Sequence, residues 1–178
     1  MAQPKKRWGH FGLKTGMNIS TIRLGDGVPD NTENEWKTGF VLGGFTKIPL
    51  TGKFAVQPEF FYSSMGGNVD DGLTRNKYRF NYFSIPVLAR YQFSKCWAAV
   101  LGPQVDFIIQ GKANKDTKIT TSLNETGFGA VGGLEASLCK SIVIGGRYFY
   151  GLTNALADDA TIKWYNHGAQ ITIGFLLQ

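Results

Sequence analysis

The feature that most constrains the fold of this chain is an alternation, with a period of two residues, between apolar side chains and small or polar ones. Between residues 11 and 19, for example, Leu13 and Met17 lie in phase with each other, whereas Lys14 lies out of phase. Successive side chains of a β-strand point to opposite faces, so this pattern predicts a strand with one apolar face. Such stretches cover residues 11–19, 38–48, 54–63, 83–93, 97–109, 127–138, 142–151 and 169–177. Only the phase of the second stretch is blurred, because Val41 and Phe45 break the alternation.

The connections between these stretches alternate in length. Residues 50–53, 94–95 and 139–140 form short connections, whereas residues 22–37, 64–80, 110–126 and 152–164 form long ones. Short turns at one end and long loops at the other are typical of transmembrane β-barrels, and tilted strands of about ten residues cross the apolar layer of a bilayer. Because lipid satisfies no free backbone hydrogen-bonding group, such a sheet must close on itself.

The sequence therefore predicts an all-β fold, a closed antiparallel up-and-down transmembrane β-barrel of about eight strands. Residues 1–9 are interpreted as a periplasmic N-terminal tail, and residues 10–178 as a single barrel domain in the bacterial outer membrane. Both termini then lie in the periplasm, the four long loops lie outside the cell, and the apolar face contacts outer-membrane lipid.

Charged residues within the predicted strands indicate which face is turned inward. Outside the blurred second stretch, they all lie in phase with the small and polar residues: Lys14, Glu59, Arg90, Asp106, Glu135 and Arg147. A charge on the lipid face costs roughly 2–4 kcal/mol at the bilayer midplane, whereas paired charges inside a narrow barrel satisfy one another. We expect these residues to form a charge network that fills the lumen and closes it to conduction. Glu59 and Arg90, on neighbouring strands, are predicted to form an ion pair.

The net charge of +6 arises elsewhere, because the charges of these six residues cancel. The basic excess lies in the tail, at residues 5–7, and near the short connections, at Lys47, Lys53, Lys95 and Lys140. It is therefore confined to the periplasmic end, and we do not expect a nucleic-acid partner.

Three prolines, Pro58, Pro86 and Pro103, fall inside predicted strands. Each lacks a backbone donor, and a closed barrel has no edge strand to hold it. We expect bulges or locally interrupted pairing at these positions.

Several segments of the chain resemble the PorT-like outer-membrane β-barrel family of Bacteroidetes. They are GLKTGMNIS (12–20), KTGF (37–40), PLTGKFAVQPEFFYSSMGG (49–67), YFSIPVLARYQF (82–93), GPQVDF (102–107), GRYFYGLTN (146–154) and ITIGFLL (171–177). The succession of QPEFFYS and YFSIPVLARY is the most specific part. The resemblance implies an eight-stranded outer-membrane barrel similar to OmpX or OmpA. It also implies that the strand prolines are a regular feature of the family.

Few residues of the chain suit catalysis or metal binding, and no cofactor is expected. The two histidines, His10 and His167, begin the first and last strands, so they lie at opposite ends of the barrel and cannot share a site. Two aspartate pairs on the outer loops are candidates for calcium ligands or for the Asp pair of outer-membrane proteases: Asp70, Asp71, Asp158 and Asp159. Solvated loop charge is the favoured interpretation, and we expect no enzyme activity.

Other residues suit the interfaces of a membrane barrel. Aromatic residues fit its interfacial belts: Phe61, Tyr62, Trp97, Tyr148, Tyr150 and Trp164. Cys96 opens one strand and Cys139 closes the next, so antiparallel pairing places both at the periplasmic rim. In that oxidising compartment the sequence leaves two alternatives open, a Cys96–Cys139 disulfide or two free thiols.

These observations favour a non-enzymatic outer-membrane barrel with a structural or interaction role, whose partners are lipid and other outer-membrane or periplasmic proteins. One alternative, by family resemblance, is a component of an outer-membrane secretion or assembly machine. Another is a soluble, ligand-carrying barrel of the lipocalin type, which would place the apolar face inside and the six charged residues outside.

Overall fold

The computed structural model describes residues 9–24, 33–70, 75–113, 117–118, 126–138, 141–153 and 164–177. Its strands are β1 (His10–Leu24), β2 (Glu33–Glu35), β3 (Lys37–Pro49), β4 (Phe54–Asp70), β5 (Arg75–Gln92), β6 (Trp97–Ala113), β7 (Thr117–Lys118), β8 (Thr126–Ser137), β9 (Ile142–Gly151) and β10 (Trp164–Leu176). Within these ranges we find no helix long and apolar enough to span a membrane.

Eight long strands form one closed antiparallel sheet in the order β4, β3, β1, β10, β9, β8, β6, β5, with β5 pairing back to β4. The first and last strands pair continuously, from Gly12 opposite Leu176 to Leu24 opposite Trp164. The short strands β2 and β7 extend the sheet beside the ends of β4 and β6. The predicted fold class is therefore confirmed.

Three tight connections lie together at one end of the barrel, which we call the short-turn end; the opposite end is the long-loop end. Each tight connection is closed by a backbone hydrogen bond: Leu50 N to Phe54 O (2.9 Å), Ser94 N to Trp97 O (3.3 Å) and Leu138 N to Ile142 O (3.0 Å). These positions agree with the predicted short connections.

At the long-loop end the strands run further than the sequence predicted. β4 continues to Asp70 and β5 begins at Arg75, so residues 64–80, predicted as a loop, form mostly a β-hairpin. β6 likewise continues to Ala113, and β2 and β7 fall within predicted loops. The physical reason is that neither face of a strand has to be apolar once it leaves the lipid. The alternation therefore stops, although the backbone ladder continues.

Side-chain exposure separates the two faces of the barrel. The outer face is apolar, with Leu101 66%, Ile171 64% and Met17 59% exposed. On β3, Val41 and Phe45 are fully buried and face inward, which resolves the phase that the sequence left blurred. An apolar exterior around a charged interior is the reverse of a lipocalin, so the lipocalin alternative is wrong.

The sheet is interrupted at the strand prolines. Between β4 and β5 no residues pair from Pro58, opposite Val87, until Phe61, opposite Ser84. Between β5 and β6 a similar gap follows Pro86 and includes Pro103. The prediction of locally interrupted pairing is confirmed.

Candidate functional site in the barrel lumen

Five of the six charged residues predicted to face the lumen form one connected set of ion pairs. Lys14, on β1, lies at its centre, because its Nζ is 2.5 Å from Oε1 of Glu59 and 2.6 Å from Oε1 of Glu135. Glu59 also pairs with Nη1 of Arg147, and Oε2 of Glu135 lies 3.2 Å from Nε of Arg90. The set therefore ties together β1, β4, β5, β8 and β9 across the lumen.

The predicted ion pair between Glu59 and Arg90 is wrong. Register places Arg90 opposite Ala55, four residues before Glu59 on β4, which is roughly 13 Å along the strand. Matching phase on neighbouring strands brings side chains to the same face, but it does not fix their height. Arg90 reaches Glu135 instead.

Asp106, the sixth predicted residue, lies apart from the ion pairs and nearer the long-loop end. Its two carboxylate oxygens accept hydrogen bonds from Nε2 of Gln104, at 2.8 and 3.0 Å. The structure thus joins Asp106 to a neutral amide on its own strand.

Lys47, on β3, belongs to the buried set, although its position in the sequence predicted a place near the short connections. Its Nζ lies 4.0 Å from Oε2 of Glu135, and the residue is only 9% exposed. The sequence did not predict this position, because the alternation in β3 is ambiguous. Lys47 lies an even number of positions from Val41 and Phe45, so it shares their inward face, and this spacing could have predicted it. The set therefore contains more cations than carboxylates: Lys14, Lys47, Arg90 and Arg147 against Glu59 and Glu135.

Two buried aromatic rings pack against these cations. The centroid of the Phe45 ring lies 4.6 Å from Nζ of Lys14 and 5.4 Å from Nζ of Lys47. Cζ of Arg147 lies 4.8 Å from the centroid of Phe61. Cation–π attraction offsets part of the cost of burying the charges. Phe61 faces the lumen and is 1% exposed, so its assignment to an interfacial belt is wrong.

Neutral polar side chains continue the network toward the long-loop end. Nε of Arg147 donates to Oε1 of Gln170, and Nε2 of Gln170 donates to Oδ1 of Asn18. Nδ2 of Asn18 in turn donates to Oγ of Ser63, at 2.8 Å. Buried polar groups in this stretch are thereby matched with one another.

Two cavities lie on either side of these residues. One of about 590 Å³ opens at the short-turn end, with Lys47 and Arg90 in its wall. A second, of about 20 Å³, lies beside Asp106 toward the long-loop end. Between them, ion-paired side chains and the rings of Phe45 and Phe61 occupy the lumen, which is the geometry of a plug.

The histidines lie where the sequence placed them. His10 pairs in register with Lys47 at the short-turn end, and His167 pairs with Thr21 at the long-loop end. Their separation is confirmed, so they share no site.

Most of the candidate calcium ligands fall outside the described residues, namely Asp71, Asp158 and Asp159. Asp70 ends β4, in register with Glu33 and Arg75. In the part of the chain that the structure describes, no three His, Cys, Asp or Glu side chains cluster as metal ligands. Solvated loop charge stays the favoured prediction for these aspartates, and calcium binding stays the alternative.

Cys96 lies exposed at the short-turn end, and its carbonyl accepts a hydrogen bond from the backbone of Ser137 at 2.7 Å. Cys139 lies outside the described residues, so a Cys96–Cys139 disulfide and two free thiols stay the two predicted alternatives.

Aromatic residues of the outer face lie near both ends of the barrel. Trp97 begins β6 at the short-turn end and is 47% exposed. Tyr148 and Tyr150 lie near the long-loop end, each with its ring centroid 6.3 Å from that of His167. Tyr62 is half-buried on the same outer face, and the side chain of Trp164 lies outside the description. These positions suit interfacial belts.

Comparison with known proteins identifies the family. A family model described as an outer membrane protein beta-barrel domain matches residues 1–157. No curated protein sequence matches the chain. Among solved structures, the chain is similar to Ail, the attachment invasion locus protein of Yersinia pestis, in complex with the heparin analogue sucrose octasulfate. That similarity has a TM-score of 0.56 and 16% identity, and covers 95% of this chain and 99% of Ail.

It is also similar to Neisserial surface protein A, with a TM-score of 0.60 and 10% identity, over 94% of this chain and 97% of that one. These likenesses establish the eight-stranded fold, and the family model covers most of the chain. The chain therefore belongs to the outer membrane protein beta-barrel domain family and is a β-barrel embedded in the lipid of the bacterial outer membrane.

Proposed function

We propose that this protein is a non-enzymatic interaction barrel, in which a plugged lumen holds the strands rigid and the long-loop end makes the contacts. The observation that carries the proposal is an asymmetry. The β4–β5 ladder continues from Ser63, opposite Tyr82, to Asp70, opposite Arg75, which is roughly 23 Å beyond the buried network. At the short-turn end the strands stop at tight turns. A paired hairpin of that length is suited to binding another molecule.

The hairpin can be shortened without disturbing the barrel, which gives a direct test. Gly66 lies opposite Arg79, so replacing residues 67–78 by Asn-Gly joins the two strands in the same register. We expect partner proteins that cross-link to the wild type in native outer membranes to be lost from this variant. The folded variant should still shift in gel mobility on boiling. Capture of the same partners by both forms would refute a role for the hairpin.

We propose that the termini and short turns face the periplasm and the long-loop end faces outward, because barrels of this type have short periplasmic turns. The test uses single cysteines in a background in which Cys96 and Cys139 are replaced by serine. An impermeant maleimide should label Asp71→Cys in intact cells, and Lys53→Cys only after lysis. The opposite pattern would invert the proposed orientation.

The finer family assignment, a PorT-like barrel, rests on the segment resemblance and favours the alternative role in a secretion or assembly machine. The same cross-linking experiment distinguishes the two roles. Machine components captured in fixed stoichiometry support the alternative. A set of captured partners that changes with the external surface that the cells are in contact with supports the interaction barrel.

A second candidate function is binding of an anionic surface polymer. Backbone register places Arg79 opposite Lys112, and Lys112 opposite Lys118, on three adjacent strands near the long-loop end. Three basic residues at opposed backbone positions concentrate positive charge in one place, which favours a polyanion. In heparin chromatography we expect Lys112→Gln/Lys118→Gln to elute at lower salt than Lys95→Gln/Lys140→Gln, which changes the charge equally at the other end. Equal elution would refute this function.

A further inference from the structure

The cavity at the short-turn end has a markedly cationic wall. The charged residues in its lining are Lys47, Lys53 and Arg90, and its volume is about 590 Å³. The neutral side chain of Gln92 also lines it, and accepts a hydrogen bond from Nη1 of Arg90 at 3.1 Å. This space adjoins the ion-pair network but does not belong to the plug.

Lys47 is the cation with the poorest compensation. Its nearest carboxylate oxygen, Oε2 of Glu135, is 4.0 Å away and is also 3.2 Å from Nε of Arg90. The other oxygen, Oε1, already accepts hydrogen bonds from Lys14 at 2.6 Å and from Gln57 at 2.8 Å. Glu135 is therefore shared among four donors and compensates little of the positive charge of Lys47.

Backbone pairing leaves one side of this position open, because Lys47 pairs with His10 on β1 but with no residue of β4. β3 and β4 pair at Phe45, opposite Glu59, and again at Ile48, opposite Val56, but not at Lys47. Lys47 thus lies at a gap in the ladder, next to the cavity. Lys47 is about nine-tenths buried, so the surrounding strands hold its side chain in place and the site is part of the folded barrel.

The charge of the network also favours an anion. Four cations face two carboxylates within the connected set. A buried charge without a partner is costly, and an ammonium carries three donors. An oxyanion in the cavity would meet Lys47 and Arg90 at its inner wall and Lys53 at its rim.

We propose that the short-turn mouth of the barrel is a binding site for an oxyanion, a carboxylate or phosphate group, on a molecule small enough to enter the cavity. Lys47 is the main binding residue, and Arg90 and Lys53 contribute further positive charge. Multiple N–H donors directed at one group are the usual means by which proteins bind such anions.

The test is isothermal titration of the folded barrel in zwitterionic detergent with inorganic phosphate, and separately with succinate, at constant ionic strength set with chloride. We expect saturable binding of one anion per barrel, and the tighter of the two identifies the class. Lys47→Met should weaken it at least tenfold. Lys37→Met, at the opposite end of the same strand, should leave it within twofold.

A second measurement uses the wild type alone, so it does not depend on whether a variant folds. In nuclear magnetic resonance spectra of the wild type, the stronger anion should shift amides around Lys47, Lys53 and Ser137 and leave those near His167 unchanged. Absence of saturable binding of both anions, equal binding by both variants, or shifts confined to the long-loop end would overturn the proposal.

Discussion

Replacing Glu59 by glutamine tests whether the buried ion pairs hold the barrel together. The carboxylate accepts from Lys14 at 2.5 Å, from Nε2 of Gln57 at 2.8 Å, and from Arg147. Glutamine preserves the shape of the side chain and removes its charge. The variant therefore leaves the four buried cations of the network with Glu135 as their remaining carboxylate.

The expected loss of stability depends on which cation loses its contacting carboxylate. Lys14 keeps Glu135, but Glu59 is the carboxylate that Arg147 contacts among the described residues. Removing one partner of a buried pair costs roughly 3–5 kcal/mol, because the other charge stays buried and unpaired. At about 1.4 kcal/mol per tenfold, the ratio of folded to unfolded protein should fall roughly 100- to 4,000-fold.

Urea titration of the barrel refolded into lipid vesicles measures this change, with the gel mobility of folded and unfolded forms as the signal. Asp106→Asn is the matched control, because its hydrogen bonds come from the amide of Gln104 and asparagine can still accept one. We expect it to cost less than about 1.5 kcal/mol. The double variant Glu59→Gln/Arg147→Met should be more stable than Glu59→Gln alone, since no cation is then stranded. A Glu59→Gln barrel within about 1 kcal/mol of the wild type would refute the reasoning.

Three further predictions concern the exterior and the rim. Leu101→Arg, on the lipid face, should destabilise the barrel by roughly 2–4 kcal/mol in the same titration, and a cost no larger than that of Leu101→Ala would contradict this. Folded protein should need detergent to stay in solution and should change gel mobility on boiling; a soluble monomer in plain buffer would contradict membrane residence. Thiol titration of unfolded, non-reduced protein should find no reactive thiol if Cys96 and Cys139 are bridged and two if they are not.

The inward and outward faces of most strands could be predicted from the sequence because lipid imposes a simple rule on them. Lys14 and Glu135 could be assigned to the lumen by phase alone, since a charge on the outer face is too costly. The rule fails where lipid is absent. Residues 64–80 appeared to be a loop because a hairpin in water needs no apolar face.

Contacts inside the lumen could not be predicted in the same way. Phase assigns a side chain to a face, but the partner depends on height and on reach across a narrow space, which is why Arg90 contacts Glu135 rather than Glu59. Lys47 was missed because β3 presents apolar residues on both faces. Its inward face carries Phe45, which serves as a surface for cations rather than as part of an apolar core.

The strand prolines are an exception to the rule that proline is excluded from the inner strands of a sheet. Register places Pro58 opposite Val87, Pro86 opposite Gln104 and Pro103 opposite Ala130, so the three lie diagonally on successive strands. The two gaps in pairing, one between β4 and β5 and one between β5 and β6, meet on β5 and form one continuous seam.

Along this seam the backbones approach closely, because a Cβ on Gly102 would lie 2.0 Å from the carbonyl oxygen of Val87. In lipid or in an apolar core each unpaired backbone group would cost several kcal/mol. Here the seam borders a lumen that contains Gln57, Arg90 and Gln104, all buried polar side chains. The exclusion of proline from inner strands assumes that nothing but the ladder can satisfy the backbone. A lumen lined by polar side chains weakens that assumption, because the inner side of the seam borders polar groups rather than lipid or an apolar core, and the barrel therefore tolerates its prolines at a lower cost.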